Sequence, residues 1–347
     1  MFHMTNDSGL FRTRTEMEAA EQSLTGNTWE GPLGKFLPLI EAKMVNQFDH
    51  RFSTYEGATQ AQLNVGTLPR LDSLAHADPL CYSQPAHWVN AADVNASPAI
   101  SGAGKWLVGY RAISTPSNAR FLIAAIFPTS AVGNSLPFLR MSYGVAAKAG
   151  LVGALSSFAI DYAARQKATG TNINMFFVKQ LPAPQPSTLT NCCFPDAGRP
   201  LLDWLLPRIV ELTYTAWDLE PFGVDCGYAG PPFVWDEERR FLLRAELDAA
   251  FFHRYLGTPN EWSQSASDAL KSALPTTRDA VSHIMETFPI VKKKDLESFG
   301  TYRTKDTILE IYDEMTTAIR SGQPYQTRLA PPPADLSCRH AAATEPA

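Results

Sequence analysis

The apolar residues of this chain change their spacing part-way along, and that change limits the folds open to it. Lys105–Tyr110 (KWLVGY) and Phe121–Phe127 (FLIAAIF) are short, unbroken apolar runs closed by turn-forming residues, a pattern that predicts strands. Beyond the Pro-rich stretch APQPSTLT, the apolar positions recur every three to four residues instead. Phe241, Leu242, Ala245, Ala249 and Phe252 follow that rule between Asp236, a capping residue, and Gly257, a stop. Ile308, Ile311, Tyr312 and Met315 do the same over Thr304–Arg320. Strands first and helices last predict an α+β fold, with a mixed strand and helix domain over 1–186 and a helical region over 187–320.

Finer expectations follow from local signals. GKFLPLIEAKMVNQFDHRFSTYEG reads as a strand, a turn and a strand edge, and the polar stretch 58–101 as an insertion or long loop. Leu151–Ala168 reads as one helix, and Met175–Leu181 (MFFVKQL) as a strand. Pro207 makes Leu201–Leu219 either two short helices or one helix with the proline in its first turn. FGVDCGYAGPPFVW reads as a loop, 258–277 as a second polar insertion and 321–347 as a disordered tail.

Hydrophobic residues make up 45% of the chain and charged ones 19%, which is globular composition. No apolar run reaches the roughly 18 residues of a membrane span, and the N-terminus lacks a signal-like apolar stretch. A cytoplasmic protein with no membrane partner is expected. Cys81, Cys192, Cys193, Cys226 and Cys338 are scattered, with no C-x-x-C, so neither a zinc site nor a disulfide framework is expected.

Charge is unevenly distributed. The whole chain carries −5, yet residues 101–180 hold eight basic residues against the single acid Asp161, a local +7. Such segregation suits a polyanionic partner, because phosphate neutralisation supplies most sequence-independent affinity for DNA.

Catalytic motifs do not accompany that segment. Ser101–Lys105 (SGAGK) is Gly-rich but leads into a predicted strand, whereas a phosphate cradle needs a helix there. GPPF (Gly230–Phe233) has the prolines of an adenine-methyltransferase tetrapeptide and lacks its side-chain acceptor. No carboxylate set suits a metal nuclease, no G-x-S-x-G is present and the histidines form no i, i+4 pair. The chain alone is expected to perform no catalysis and to carry no cofactor.

Three polar clusters have the chemistry to read a duplex, where Lys and Arg hold phosphates and guanine edges while Gln and Asn pair with adenine. The first holds Gln47, His50 and Arg51, with Lys43 just before it. The second is the loop carrying Asn134. The third, ARQKATGTNIN, holds Arg165, Gln166, Lys167, Thr171, Asn172 and Asn174. Arg111 and Lys179 add flanking cations. A helix C-cap followed by a polar turn would use the same residues as the third cluster, and the chemistry leaves both readings open.

A resemblance bears on the choice. MTNDSGLFRT, FLPLIEAKMVNQFDHRFSTYEG, WLVGYRAIS with FLIAAIFP, AVGNSLPFL, FAIDYAARQKATGTNINMFFVKQLPAP, VELTYTAWDLEPFGVDCGYAGPPFVWDEERRFLLRAELDAAFFHRYLG and TFPIVKKKDLESFGTYRTKDTILEIYDEM occur in this order. Together they resemble the C-terminal region of type IIG restriction–modification enzymes and of related adenine-specific methyltransferases of phage defence such as DISARM. The resemblance implies a target-recognition domain followed by a helical region, double-stranded DNA as partner, and S-adenosylmethionine as cosubstrate of the full-length family. It places the catalytic core, with its Asn-Pro-Pro-Tyr motif, upstream of the matching region. A separate methyltransferase core or defence-system subunit is therefore an expected partner. A split-gene subunit, a docking subunit for a methyltransferase or helicase, and a truncated relic all fit this reading.

Overall fold

Eight strands and a larger set of helices make an α+β fold in this computed structural model, which describes residues 1–115, 118–191, 195 and 198–341. The strands are β1 (Phe11–Arg12), β2 (Ser23–Thr25), β3 (Thr28–Gly31), β4 (Gly34–Ile40), β5 (Trp88–Asn90), β6 (Trp106–Tyr110), β7 (Ala124–Pro128) and β8 (Ala131–Val132). Six of them form one sheet in the order β1-β5-β4-β3-β2, with β8 parallel to the end of β4, and β6 and β7 form an antiparallel hairpin. Seven helices of ten or more residues are described: α1 (Val145–Leu155), α2 (Phe158–Lys167), α3 (Leu201–Thr213), α4 (Glu237–Leu256), α5 (Thr277–Glu286), α6 (Pro289–Phe299) and α7 (Arg303–Ser321).

The hairpin explains why KWLVGY and FLIAAIF show no alternation. Leu107, Ala125 and Phe127 pack into the core beneath the sheet, while Trp106, Val108 and Ile126 pack into the helical core on the other face. A strand pair covered on both faces needs apolar side chains at every position. Gly109 lies where a Cβ would come within 2.7 Å of the Phe127 ring and 3.1 Å of the Pro137 carbonyl oxygen, so the hairpin's close approach depends on it. The largest core cluster draws on residues from Phe48 to Leu329, joining the hairpin and α1 to α3, α4 and α7.

Helix ends follow their chemistry. The Asp236 side chain accepts from the Arg239 amide at the start of α4, and Gly257 ends it at φ 73°. α3 is one helix with Pro207 in its interior rather than in its first turn. A proline there leaves the Asp203 carbonyl without its helical donor, and the Arg199 guanidinium donates to that oxygen at 2.7 Å.

Several expectations need correction. Leu151–Ala168 is not one helix: Ser157 accepts from the Ile160 amide, caps α2 and separates it from α1. Met175–Leu181 is not a strand, because Asn174 caps a helical turn over Met175–Val178. The strand edge expected after β4 is a 3-10 turn (Ala42–Met44) and irregular chain. The stretch 58–101 contributes β5, hydrogen-bonded to β1 and β4, and so belongs to the sheet. A helical turn at Glu220–Asp225 runs into the start of the expected loop FGVDCGYAGPPFVW, and two more lie inside 258–277. Disorder from residue 321 does not describe 322–341, which packs on the helices with Tyr325 and Leu329 buried.

Candidate nucleic-acid interface

Burial divides the thirteen candidate residues. In the first cluster Arg51 is 1% exposed, and its guanidinium donates to the carbonyls of His76, Asp78, Cys81 and Thr215. His50 is buried with Nε2 2.8 Å from Asp218 Oδ1. The Gln47 amide donates to the carbonyls of Leu122 and Ser156 and accepts from Arg120 Nε. Lys43 is half-buried, 3.8 Å from Glu41 and 4.7 Å from the centre of the Tyr55 ring. QFDHRF is thus a structural knot that ties the sheet to the segment after α3, and its assignment to DNA is corrected. A buried cation spends its donors on carbonyls, which leaves none for a phosphate.

Two further arginines follow the same rule. Arg111 donates to the Val45 carbonyl, and burial pulls its guanidinium down to about 10. Arg165 pairs with Asp161, donates to the carbonyls of Asn118 and Ala119, and lies over the Phe288 ring. Part of the sequence signal for a cationic surface is therefore internal.

The other candidates are exposed: Asn134, Gln166, Lys167, Thr171, Asn172, Asn174 and Lys179. Six of these seven belong to one loop system. It leaves the end of α2 and is pinned where the Ser114 amide donates to Thr171 O and the Ile173 amide donates to Ala112 O. Ile173 is buried, so the loop is anchored at its far side while Gln166, Lys167, Thr171 and Asn172 project. Asn174 is partly spent as the helix cap. Two apolar side chains stand in the same region, Ile113 bridged to Asn172 and Phe176, 61% and 75% exposed. Polar, cationic and apolar groups displayed together suit a DNA groove, which offers hydrogen-bonding edges, phosphates and thymine methyls.

A second cationic place escaped the sequence reading. A cleft of about 380 Å³ is lined by Gly102–Gly104, Trp106, Arg140, Val145 and Lys148 among others. It opens at the start of α1, whose N-cap Gly144 supplies no side-chain acceptor to the first-turn amides. Those amides and the helix dipole favour an anion. Asp225, also on the wall, opposes this, but its carboxylate accepts from Trp106 Nε1 at 2.7 Å. The only trace of the cleft in the sequence was its place inside the +7 segment, since Gly102, Arg140 and Lys148 are remote from one another along the chain. Ser101–Lys105 leads into β6, whose backbone pairs with β7, so these glycines do not form the strand–turn–helix cradle of a nucleotide cosubstrate.

Ion pairing separates the two halves of the charge map. Among the described residues, Lys105, Arg140, Lys148, Lys167 and Lys179 have no acid within ion-pair distance. In the helical region most described cations are paired, Arg208 with Glu246, Arg239 with Glu211, Arg303 with Glu238, Lys292 and Lys305 with Glu286, and Arg328 with Glu310 and Glu314. Arg240, Arg244, Arg254, Lys294 and Arg320 have no acid within ion-pair distance among the described residues.

Among the described residues no group of three or more His, Cys, Asp or Glu side chains could hold a metal ion, and no helix is long and apolar enough to cross a membrane. No family model, curated protein or solved structure matches the chain.

Proposed function

We propose that this chain is a double-stranded DNA recognition module of an adenine-specific methyltransferase system of the restriction–modification or phage-defence kind. Methyl transfer, and the S-adenosylmethionine it consumes, belong in this reading to a separate catalytic core. The observation that carries it is that Lys105, Arg140, Lys148, Lys167 and Lys179 of the middle segment lack acid partners among the described residues while the same segment holds a single acid, whereas most described cations of the helical region are paired with acids. Evenly paired surface charge would give no net field for a duplex, whereas unpaired lysines release condensed counterions on meeting phosphates. Lys105, Lys148, Lys167 and Lys179 take the phosphate role, joined by the exposed Arg140 with the donors that the Pro98 and Ser101 carbonyls leave over. Thr171 and Asn172, with Gln166, take the base-edge role, and Ile113 and Phe176 supply apolar contact.

Selection of bound duplexes from a randomised pool tests the reading. An enriched motif is expected with the purified chain. Lys167→Ala should weaken binding across all sequences, and Asn172→Ala should relax the preference at one base pair, by about 1–3 kcal/mol of discrimination. A pool that emerges unenriched, or a motif that neither variant alters, overturns it.

A further inference from the structure

A group of ionisable side chains outside the proposed DNA surface surrounds a cavity of about 230 Å³ where the first half of the chain meets the helical region. Gln47 and Arg120 come from the first half, Phe158 from the start of α2, Arg244 and Asp248 from α4, and Val291 and Ile308 from α6 and α7. We propose that this cavity binds a small carboxylate carried on an aromatic or branched apolar body.

Arg244 is the side chain that calls for a ligand. Neighbouring arginines spend most of their donors elsewhere: Arg120 on Gln47 and the Ser156 carbonyl, with its Nη1 left buried and unpartnered among the described residues, Arg240 on the carbonyls of Leu212 and Phe48, and Arg303 on Glu238. Arg244 is only partly exposed, yet among the described residues it has neither a hydrogen bond nor an acid within ion-pair distance. A guanidinium withdrawn from water needs an acceptor for its fork of donors, and this one has only the cavity before it. Asp248 does not supply that acceptor. Its carboxylate takes the Phe158 amide at 2.6 Å, and it stands 3.9 Å from Arg120 Nη2.

The charge count then sets the ligand's charge. Among the lining residues two guanidinium groups face one carboxylate, a surplus of one positive charge that Glu237, outside the lining, partly offsets at Arg244, so a monoanion suits the site better than a dianion. A planar carboxylate also matches the guanidinium fork in a bidentate pair. The remaining wall selects the rest of the molecule. Phe158, Phe241, Ala245, Val291 and Ile308 offer apolar surface beside the polar groups, and apolar walls with convergent polar groups are the usual form of a small-molecule site. Asn46 and Thr304 line the same cavity and add polar groups that can fix orientation.

Isothermal titration calorimetry on the full chain without DNA tests this, with benzoate and 4-methylpentanoate as probes and benzamide and inorganic phosphate as controls. At least one of the two carboxylates should bind, with benzamide and phosphate weaker by about tenfold or more, the worth of one charge-assisted hydrogen bond. Arg244→Leu should lower carboxylate affinity by a similar factor. Val291→Trp, from the half-buried opposite wall, should abolish binding by filling the space, which keeps the test open if the arginine variant does not fold. Silence from both carboxylates at millimolar concentration, phosphate binding as tightly as they do, or undiminished binding by either folded variant overturns the proposal.

Discussion

Removing the carboxylate of Glu246 should unfasten the C-terminal segment from the helices. Glu246 lies on α4 with none of its surface exposed. Its Oε2 accepts from Arg208 Nε at 2.8 Å and Nη2 at 2.7 Å, and its Oε1 accepts from Tyr325 Oη at 3.0 Å, Thr327 Oγ1 at 2.6 Å and the Arg328 amide at 3.1 Å. One buried side chain thus joins α3 to the segment 322–341. Glu246→Ala leaves the Arg208 guanidinium buried against the Trp204 ring without its acid, a change that costs about 3–5 kcal/mol. That is a large share of the roughly 5–15 kcal/mol by which a domain is stable. Glu246→Gln keeps the volume and one acceptor oxygen but also strips Arg208 of its acid and turns an amide NH2 towards donors, so a cost of about 3 kcal/mol or more is expected here too. Urea denaturation measures the totals, and hydrogen exchange at the Arg328 amide reports the local release. An alanine variant within about 0.5 kcal/mol of the parent, as for an ordinary surface change, would refute the reasoning.

Two buried groups should give opposite pH dependences. Burial lowers His253 to about 4, so its contribution is full above the unfolded value of 6.5 and lost as pH falls towards 4, on the order of 3 kcal/mol. Burial raises Asp248 to about 6, so its contribution is full below the unfolded value of 3.8 and lost as pH rises towards 6, by a similar amount of about 3 kcal/mol. Relative to the parent, His253→Phe should therefore gain stability on acidification and Asp248→Asn should gain it on alkalinisation. Urea midpoints at pH 4.5 and 7 would contradict this if both variants tracked the parent. Gly109→Ala should cost about 1–3 kcal/mol, because the new methyl group meets the Phe127 ring and the Pro137 carbonyl, and a thermal midpoint equal to the parent's would contradict that.

The pattern of legible and illegible features has physical causes. α4 and α7 were readable because long amphipathic helices repeat their signal over several turns, and Asp236 and Gly257 mark the ends of α4. The hairpin was readable because both of its faces are buried. β5 was not, since three residues in a polar setting have no period, and their pairing with β1 and β4 is set by distant sequence. The turn at Met175 was missed because an apolar run of that length fits a strand or a helix, and the Asn174 cap decides between them. For the surface, sequence could count cations but not their neighbours: Lys167 and Arg165 are two residues apart, one exposed and one folded onto Asp161 and Phe288. The grouping of Arg140 and Lys148 with Gly102–Gly104 exists only once β6 is placed beside α1.

In the proposed DNA complex the unpaired lysines of the middle segment meet phosphates. Fluorescence anisotropy of a labelled duplex, titrated with the chain across a range of salt concentrations, examines it most directly. Log affinity should fall linearly with log salt, and the combined Lys105→Ala, Lys148→Ala and Lys167→Ala variant should flatten that slope by about 0.9 for each phosphate that is no longer neutralised. Absence of binding even at low salt, or a slope that the triple variant leaves unchanged, would contradict the account.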